Sequence, residues 1–414
     1  MHEAADNTAA QVRRHRPDYW LVVLALILVT IGLTVVYAIG PALSATQGGG
    51  SGTYYVSRQL IAVALSIIAF IVCARIPLKV WQKWQMPLLI IGIIGTVIAL
   101  ITPVNLAYPA HRWIRAGGLS LQSVEVLKFA LLFWLATFFA NRYKDGTLGD
   151  TKRTLYPLLA LVCVVGVIIG GAQSDFGSTV VIIAMAAIMA FLTGMPVKRL
   201  MPFVGLLVLG AIILVAIAPY RLERLTTFMH PDANCLSTGY QECQALIAVG
   251  SGGIDGLGLG RSVQAYGYLP EAQDDSIFAI YAEKFGFVGS VLLLVLFVAL
   301  FARLRTIMER APDTFSRLIV AGILAWLSAQ TIINVGAMIG LLPLKGITLP
   351  FISYGGTSVL FVGGALGLVF QISRYTTFNT RDVKRNGQKR IDHEDSSNRR
   401  RLGRAYHPDL GSRA

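Results

Sequence analysis

Long apolar runs separated by short polar segments set the hydropathy pattern of this chain. The runs recur from residue 19 to residue 373, and each is close to the roughly 20 residues that cross a bilayer as an α-helix. The predicted spans are about 19–40, 57–74, 86–103, 122–141, 155–171, 177–195, 200–219, 276–302, 316–341 and 356–373. The pattern therefore predicts an all-α polytopic membrane protein with about ten transmembrane helices.

Polar stretches divide the chain into three parts. Residues 1–17 form a polar N-terminal tail, residues 18–375 form the membrane domain, and residues 376–414 form a basic tail that we expect to be disordered. The longest polar stretch inside the membrane domain is a loop at about 220–275, between predicted helices seven and eight. A loop of this length usually carries function.

The composition agrees with a membrane protein. Of the residues, 55% are hydrophobic and 14% are charged, and the mean hydropathy is +0.62, whereas soluble domains have about 45–50% apolar and about 25% charged residues. The net charge of +14 lies partly in the C-terminal tail, where basic residues favour attraction to anionic lipid or orientation of the chain. No base-reading motif accompanies these charges, so we predict a membrane-associated protein without a nucleic-acid partner.

The distribution of basic residues predicts the orientation. With ten spans, 27 of the 36 Lys and Arg residues lie on one side together with both termini, and seven lie on the other side. Because basic residues concentrate in cytoplasmic loops, both termini are predicted to be cytoplasmic. The loop at about 220–275 is then extracytoplasmic.

The four cysteines do not have the spacing of a zinc or iron–sulfur site. Cys235 and Cys243 lie in the large outer loop, where they could form a disulfide or remain two thiols. Cys73 and Cys163 lie in apolar spans and are predicted to be packing residues.

Two adjacent carboxylates, Asp274 and Asp275, stand at the start of the eighth predicted span. One interpretation is that they cap the helix. The other is that Asp275, partly desolvated at the membrane surface, acts as a general base.

Several other charges fall inside or beside apolar spans, where ionisable groups are costly. Glu125 and Lys128 are three residues apart and so share a helix face, which indicates either a structural ion pair or a substrate site. Asp175 is predicted to cap a helix, and we assign structural roles to Glu283 and Lys284.

Arg112 and Arg115 flank Trp113 in a predicted outer connection. Arginine binds phosphate through paired hydrogen bonds, and tryptophan anchors at the membrane boundary. The motif therefore indicates a site for a phosphate-bearing lipid headgroup.

A second polar concentration lies at residues 342–358, where prolines and glycines interrupt any continuous helix. Irregular backbone at membrane depth must be buried in protein or line a wet cavity. We predict that Gln330, Asn334, Lys345 and Ser353 bind substrate in such a cavity, and the alternative is a re-entrant packing loop.

The segment 342–358 also resembles the signature of the SEDS family (shape, elongation, division and sporulation), and the resemblance extends over about 18–375. Further matching blocks are Arg112-Trp-Ile, residues 122–128, residues 173–177, residues 240–264 and residues 268–272. Residues 258–264 and the basic tail are more similar to the division branch, FtsW, than to the elongation branch, RodA.

The resemblance implies a ten-helix peptidoglycan glycosyltransferase that polymerises lipid II at the outer leaflet of the bacterial cell membrane, at the division septum. It implies a class B penicillin-binding transpeptidase and other divisome proteins as partners. It also places the essential carboxylate at Asp275. The chain departs from the family block at Gln273, Asp274 and Ser276, and at residues 123–124.

In the implied reaction, Asp275 takes the proton from the acceptor hydroxyl, and the leaving group is a lipid pyrophosphate. Candidates for stabilising its charge are Arg112, Arg115, Lys128 or a divalent cation, Mg²⁺ or Mn²⁺; no dedicated metal cage is visible in the sequence. A lipid II flippase or transporter, or a non-catalytic division scaffold, is the alternative function.

Overall fold

The computed structural model describes residues 12–46, 52–102, 111–116, 119–199, 201–202, 205, 209–210, 228–229, 235–237, 239–343 and 346–377. Most of the predicted span at 200–219, the first part of the large outer loop, Lys345 and most of both tails lie outside these residues.

Helices make up most of the described chain. They are α1 (Tyr19–Thr46), α2 (Tyr54–Arg75), α3 (Leu78–Lys83), α4 (Gln85–Ile101), α5 (Ser123–Lys144), α6 (Thr151–Ala172), α7 (Phe176–Leu192), α8 (Tyr240–Ser251), α9 (Ile277–Glu309), α10 (Thr314–Met338) and α11 (Gly356–Ile372). Four short strands pair as two antiparallel ribbons: β1 (Val12–Arg14) with β4 (Tyr375–Thr377), and β2 (Trp113–Ala116) with β3 (Leu119–Gln122).

Helices of the described chain coincide with every predicted span except the one at 200–219. Six of them, α1, α2, α5, α6, α9 and α10, are long and apolar enough to cross a membrane, and α4, α7 and α11 are apolar helices of 17 residues. α1 ends later than predicted: the predicted span ends at about residue 40, whereas the helix continues through Pro41 to Thr46. Membrane helices tolerate proline where neighbouring groups satisfy the freed backbone.

The core of the bundle is built around α5 and α10. Within an 18-residue apolar stretch of each helix, 78% of the residues are buried in α5 and 72% in α10, against 17–33% in the other four long helices. The peripheral helices expose large apolar side chains, such as Ile90 and Ile94 of α4, as lipid-facing helices do. The site residues on these two helices, Glu125 and Lys128 of α5 and Gln330 and Asn334 of α10, are therefore enclosed by protein.

Both ends of the described chain meet at one end of the bundle. β1 pairs with β4, and the main-chain N–H of Asp18 donates to the hydroxyl of Ser373 at 3.0 Å. Asp18 also forms an ion pair with Arg303 of α9 at 2.7 Å. The two ends of the described chain thus lie at the same end of the bundle, which is consistent with the prediction that both termini are on one side.

The segment 346–355, between α10 and α11, is not helical and packs deep in the bundle. A Cβ added to Gly32, in the middle of α1, would lie 2.6 Å from the carbonyl oxygen of Phe351, so the two backbones are in direct contact. Gln59 of α2 bonds to both the carbonyl of Ser353 and the N–H of Gly355, each at 3.3 Å. This irregular backbone at membrane depth is therefore buried in protein, as it must be.

The described part of the loop at about 220–275, which contains α8, packs on α9. Cys235 and Cys243 form a disulfide at the start of α8, which settles the pairing that the sequence left open. Gly286, with φ of +63°, kinks α9 where Gly256 approaches its backbone. A side chain at either glycine would collide with the other segment.

Candidate active site

Asp275 lies at the end of a tight turn that leads into α9. The carbonyl of Glu271, which has φ of +50°, accepts hydrogen bonds from the N–H groups of Asp274 (3.0 Å) and Ser276 (3.2 Å). Ser276 occupies the N-cap position of α9, and its side chain makes no capping hydrogen bond. Asp275 therefore precedes the cap position.

Three successive main-chain carbonyls of this turn are held by one neighbouring region. The donors come from α10 and from the segment 346–355. The bonds run from Tyr354 N to Gln273 O (2.9 Å), from Ser353 Oγ to Asp274 O (2.6 Å) and from Asn334 Nδ2 to Asp275 O (2.8 Å).

Arg112 approaches the same place from the turn before β2. Its guanidinium donates to the carbonyl of Gln173 through Nε at 3.0 Å and to the carbonyl of Ser174 through Nη2. A Cβ built on Gly346 would lie 3.3 Å from Nη1 of Arg112 and 3.6 Å from Oδ2 of Asp275. A cation and a carboxylate thus border the same glycine.

Glu125 and Lys128 form a buried ion pair, with 2.7 Å between Oε1 and Nζ and with side chains 3% and 2% exposed. Lys128 Nζ also lies 3.4 Å from Oε1 of Gln330 and 4.9 Å from the ring centre of Trp326. The amide of Gln330 in turn donates to the carbonyl and the hydroxyl of Thr348, at 2.9 and 3.0 Å. The pair is therefore connected to the segment that borders Asp275.

A small cavity of about 10 Å³ adjoins Asp275, which is room for about one water molecule. Its lining residues are Asp275, Ile333, Asn334, Ala337, Met338, Gly346 and Ile347. Oδ1 of Asn334 is buried and has no hydrogen-bond partner, so the cavity offers a polar acceptor beside the carboxylate.

Asp274 has an environment that favours its protonated form. Burial, and then the negative charges of Glu271 and Asp275 and a hydrogen bond with Glu271, raise the pKa of Asp274 well above its usual value of 3.8. Two adjacent carboxylates resist ionising together, which adds to the effect of burial.

The structure brings most of the predicted site residues into two connected groups. Arg112, Asp275 and Asn334 lie against the segment 346–355, which contains Ser353. The other group consists of Glu125, Lys128 and Gln330, joined to that segment through Thr348. Arg115 lies on β2 opposite Ser120, and Lys345 lies outside the described residues.

Sequence reasoning missed several residues of this site. Gln173 and Ser174 hold Arg112 through their carbonyls, Thr348 joins Gln330 to the segment, and Gly346 lies beside both Arg112 and Asp275. Every residue has a main-chain carbonyl, so the amino-acid sequence does not show which carbonyls will bond to a distant side chain. The sequence could have indicated Gly346, because an isolated glycine often marks a place where the backbone closely approaches another group.

The structural roles predicted for the other buried charges agree with their contacts. Asp175 caps α7, accepting from the N–H and the hydroxyl of Ser178 at 3.0 and 2.9 Å. Glu283 accepts from the N–H groups of Val263 (2.8 Å) and Gln264 (3.2 Å), and Lys284 donates to the carbonyl of Leu259 at 2.6 Å. Among the described residues no group of three or more His, Cys, Asp or Glu could hold a metal ion.

Comparison with known proteins agrees with the sequence motifs. The family model for FtsW, RodA and SpoVE, described as cell cycle protein, matches residues 19–378. A Coxiella burnetii protein named probable peptidoglycan glycosyltransferase FtsW is 41% identical over 87% of this chain and 97% of its own length. Stage V sporulation protein E of Bacillus subtilis is 36% identical over 88% of this chain and 99% of its own length.

Solved structures share the fold. A chain from the structure described as "Structural coordination of polymerization and crosslinking by a peptidoglycan synthase complex" is 25% identical, with a TM-score of 0.68 over 86% of this chain and 98% of that one. The Thermus thermophilus rod shape determining protein RodA has a TM-score of 0.62 over 86% of this chain and 97% of its own, at 24% identity. The chain therefore belongs to the FtsW/RodA/SpoVE family, which is the SEDS family that its motifs resemble.

Proposed function

We propose that this protein is a peptidoglycan glycosyltransferase that polymerises lipid II into glycan strands at the outer leaflet during septal cell-wall synthesis. The names of its relatives support the reaction class. The observation that carries the proposal for this chain is the placement of both Arg112 and Asp275 beside Gly346. A base and a phosphate-binding cation are the two groups that glycosyl transfer from a lipid pyrophosphate requires.

Asp275 is the general base in this proposal. It takes the proton from the acceptor sugar hydroxyl as that oxygen bonds to the anomeric carbon of the donor. The bond from the anomeric carbon to the pyrophosphate oxygen breaks, and the lipid pyrophosphate leaves with the electron pair. A carboxylate in a partly buried turn is less solvated than one in water, which makes it a better proton acceptor.

Arg112 stabilises the leaving pyrophosphate. Its guanidinium is already oriented by the carbonyls of Gln173 and Ser174, so little rearrangement is needed when the charge develops. Nη1 borders the space at Gly346. We assign Arg115 and Lys345 to the same phosphate-binding role on the basis of their charge.

The Glu125–Lys128 pair and its partner Gln330 form the inner wall of the proposed site. Burying an ion pair inside a membrane helix costs free energy, and charged residues found there usually have a function. We propose that Lys128 contributes positive potential towards the substrate, with Glu125 and Gln330 fixing its ammonium group. Asn334 and Ser353 border the same site.

A divalent cation, Mg²⁺ or Mn²⁺, is a further proposed component. Because the described residues contain no three-ligand cluster, such an ion would bind mainly through substrate phosphates, with one or two carboxylates of the protein, as Mg²⁺ often does. It would supply charge neutralisation at the pyrophosphate, in addition to Arg112.

The proposed partners are a class B penicillin-binding transpeptidase and other divisome proteins. Support comes from the similar chain that belongs to a peptidoglycan synthase complex, in which polymerization and crosslinking are coordinated. We place the protein in the bacterial inner membrane at the septum, with cytoplasmic termini, because of its family and its basic-residue distribution.

Purified protein reconstituted with labelled lipid II and the partner transpeptidase tests the proposal. We expect glycan strands from the native chain and none from Asp275→Asn in protein that inserts and purifies normally. Lipid II movement between leaflets without polymer would support the transporter instead. Absence of both activities, with retained partner binding, would support the scaffold.

A further inference from the structure

The turn that carries Asp275 is held by what we call the carbonyl clamp: Asn334 Nδ2, Ser353 Oγ and Tyr354 N, which donate to the carbonyls of residues 273–275. Three carbonyls in succession are bonded to one region of the protein. Carbonyls of a surface loop are more commonly satisfied by water or by the loop itself. The pattern indicates that the position of this backbone matters.

The clamp side chains have no donor hydrogen left for a substrate. Ser353 Oγ accepts from the N–H of Leu349 at 2.7 Å, so its only hydrogen goes to the carbonyl of Asp274. The two amide hydrogens of Asn334 go to the carbonyls of Asp275 and Ile347, at 2.8 and 2.6 Å. Both side chains are about 2% exposed. These contacts fit a role in holding backbone better than a role in donating to lipid II.

The clamp is anchored in the membrane bundle rather than in the outer segment. Ser353 and Gly355 are bonded to Gln59 of α2, and Phe351 packs directly on Gly32 of α1. Asn334 belongs to α10, one of the two most enclosed helices. The backbone of Asp275 is therefore registered to the same helices that carry the rest of the site.

We propose that Asn334 and Ser353 are positioning residues. They hold the backbone of Asp275 so that its carboxylate lies beside Gly346, next to the space that the Arg112 guanidinium also borders. This inference rests on the proposed glycosyltransferase function. It also revises the substrate-binding role that the sequence indicated for both residues. Since a misplacement of about 1 Å can cost about 100-fold in rate, loss of one clamp bond should lower turnover much more than it weakens substrate binding.

The kinetic test compares Ser353→Ala and Asn334→Ala with Thr331→Val. Thr331 is a matched control, because it is buried on α10 between the site residues and its hydroxyl bonds only to the carbonyl of Leu327 in its own helix. We expect kcat for lipid II polymerisation to fall about 10-fold or more in each clamp variant, with KM changed less than about 2-fold. The control should keep native kinetics. A raised KM with unchanged kcat would overturn the proposal in favour of direct substrate binding.

Hydrogen exchange gives a readout that does not depend on the reaction. In the full-length protein without substrate, the amides of Asp274 and Ser276 should exchange at least about 10-fold faster in Ser353→Ala than in native protein or in Thr331→Val. Unchanged exchange would overturn the clamp. A native protein that makes no polymer, but whose Ser353→Ala variant exchanges faster, would instead reject the proposed function and leave the clamp standing.

Discussion

Arg112 and Asp275 approach Gly346 together: a methyl group at this glycine would lie 3.3 Å from Nη1 of the arginine and 3.6 Å from Oδ2 of the aspartate. Gly346 also has φ of +50°, a conformation in which a side chain is strained. The absence of a side chain thus serves two purposes. It allows the turn, and it leaves space beside both the proposed base and the proposed phosphate ligand.

Replacing this glycine separates the two purposes. We expect Gly346→Ala to lower polymerisation about 10-fold or more, because its methyl group occupies space beside both charged groups. Gly253→Ala is the matched control, since Gly253 has φ of +53° with nothing within 4 Å of its added Cβ. Both variants should lose about 1–2 kcal/mol of stability from the backbone conformation. Equal activities of the two variants would contradict a site role for Gly346.

The raised pKa of Asp274 predicts how stability depends on pH. The folded state holds this proton more tightly than the unfolded state, so the stabilisation is complete below pH 3.8 and is lost as pH rises through the raised folded pKa. Asp274→Asn cannot ionise and should be more stable than native protein above that range. Thermal unfolding of both proteins across pH measures the difference; a native protein that gains stability relative to Asp274→Asn as pH rises would contradict it.

The same substitution should leave measurable activity. The environment of Asp274 favours its neutral form, and the amide of asparagine is also neutral, so the proposed base Asp275 keeps a similar neighbour. Glycan synthesis across pH, with the partner transpeptidase present, is the assay. Loss of activity confined to Asp274→Asn, with full activity in Asp275→Asn, would show that Asp274 is the base and that the assignment to Asp275 is wrong.

Exchanging Glu125 and Lys128 tests whether the pair is more than structural. Glu125→Ala leaves Lys128 buried without its counter-ion, which typically costs about 3–5 kcal/mol. The reversed pair should recover part of that stability. We expect little recovery of activity, because the ammonium group no longer lies beside Gln330 and Trp326. Polymerisation at the native rate by the reversed pair would make its role purely structural.

The disulfide supports the outer side of the site. Gln241, in the first turn of α8 beside Cys243, donates to the hydroxyl of Ser276 at 3.1 Å. Replacing Cys235 and Cys243 by serine should lower stability by about 2–3 kcal/mol, given the short loop that the disulfide closes, and should reduce activity. The packing role predicted for Cys163 is wrong, because this thiol is exposed and free, and Cys163→Ser is therefore the control. An unfolding temperature that does not change with reductant would argue against the support.

Reporter fusions test the orientation. The 27-to-7 distribution of basic residues predicts a cytoplasmic signal for a fusion at Asn386 and an extracytoplasmic signal at Ser251. The pairing of β1 with β4 brings residues 12–14 and 375–377 to the same end of the bundle. A cytoplasmic signal at Ser251 would remove the basis for an outer-leaflet reaction.

Much of the fold follows from the sequence alone, because a membrane helix must bury its backbone hydrogen bonds and carry about 20 apolar residues. The Glu125–Lys128 pair and the Asp175 cap were also predictable, since both depend on spacing within three residues along one helix. The importance of Asp275 came from its family motif, and its partial burial agrees with the proposed role.

Only the tertiary structure decided how these parts meet. The disulfide, the approach of Arg112 and Asp275 to Gly346, and the bonds of Asn334 and Ser353 to the Asp275 turn all join segments far apart in the chain or open to several pairings. Helical periodicity tells which residues share a face, but it carries no information about which distant main-chain carbonyl a side chain will reach. For that physical reason, the sequence could assign Asn334 and Ser353 to the site but could not show that they donate to main-chain carbonyls of the Asp275 turn.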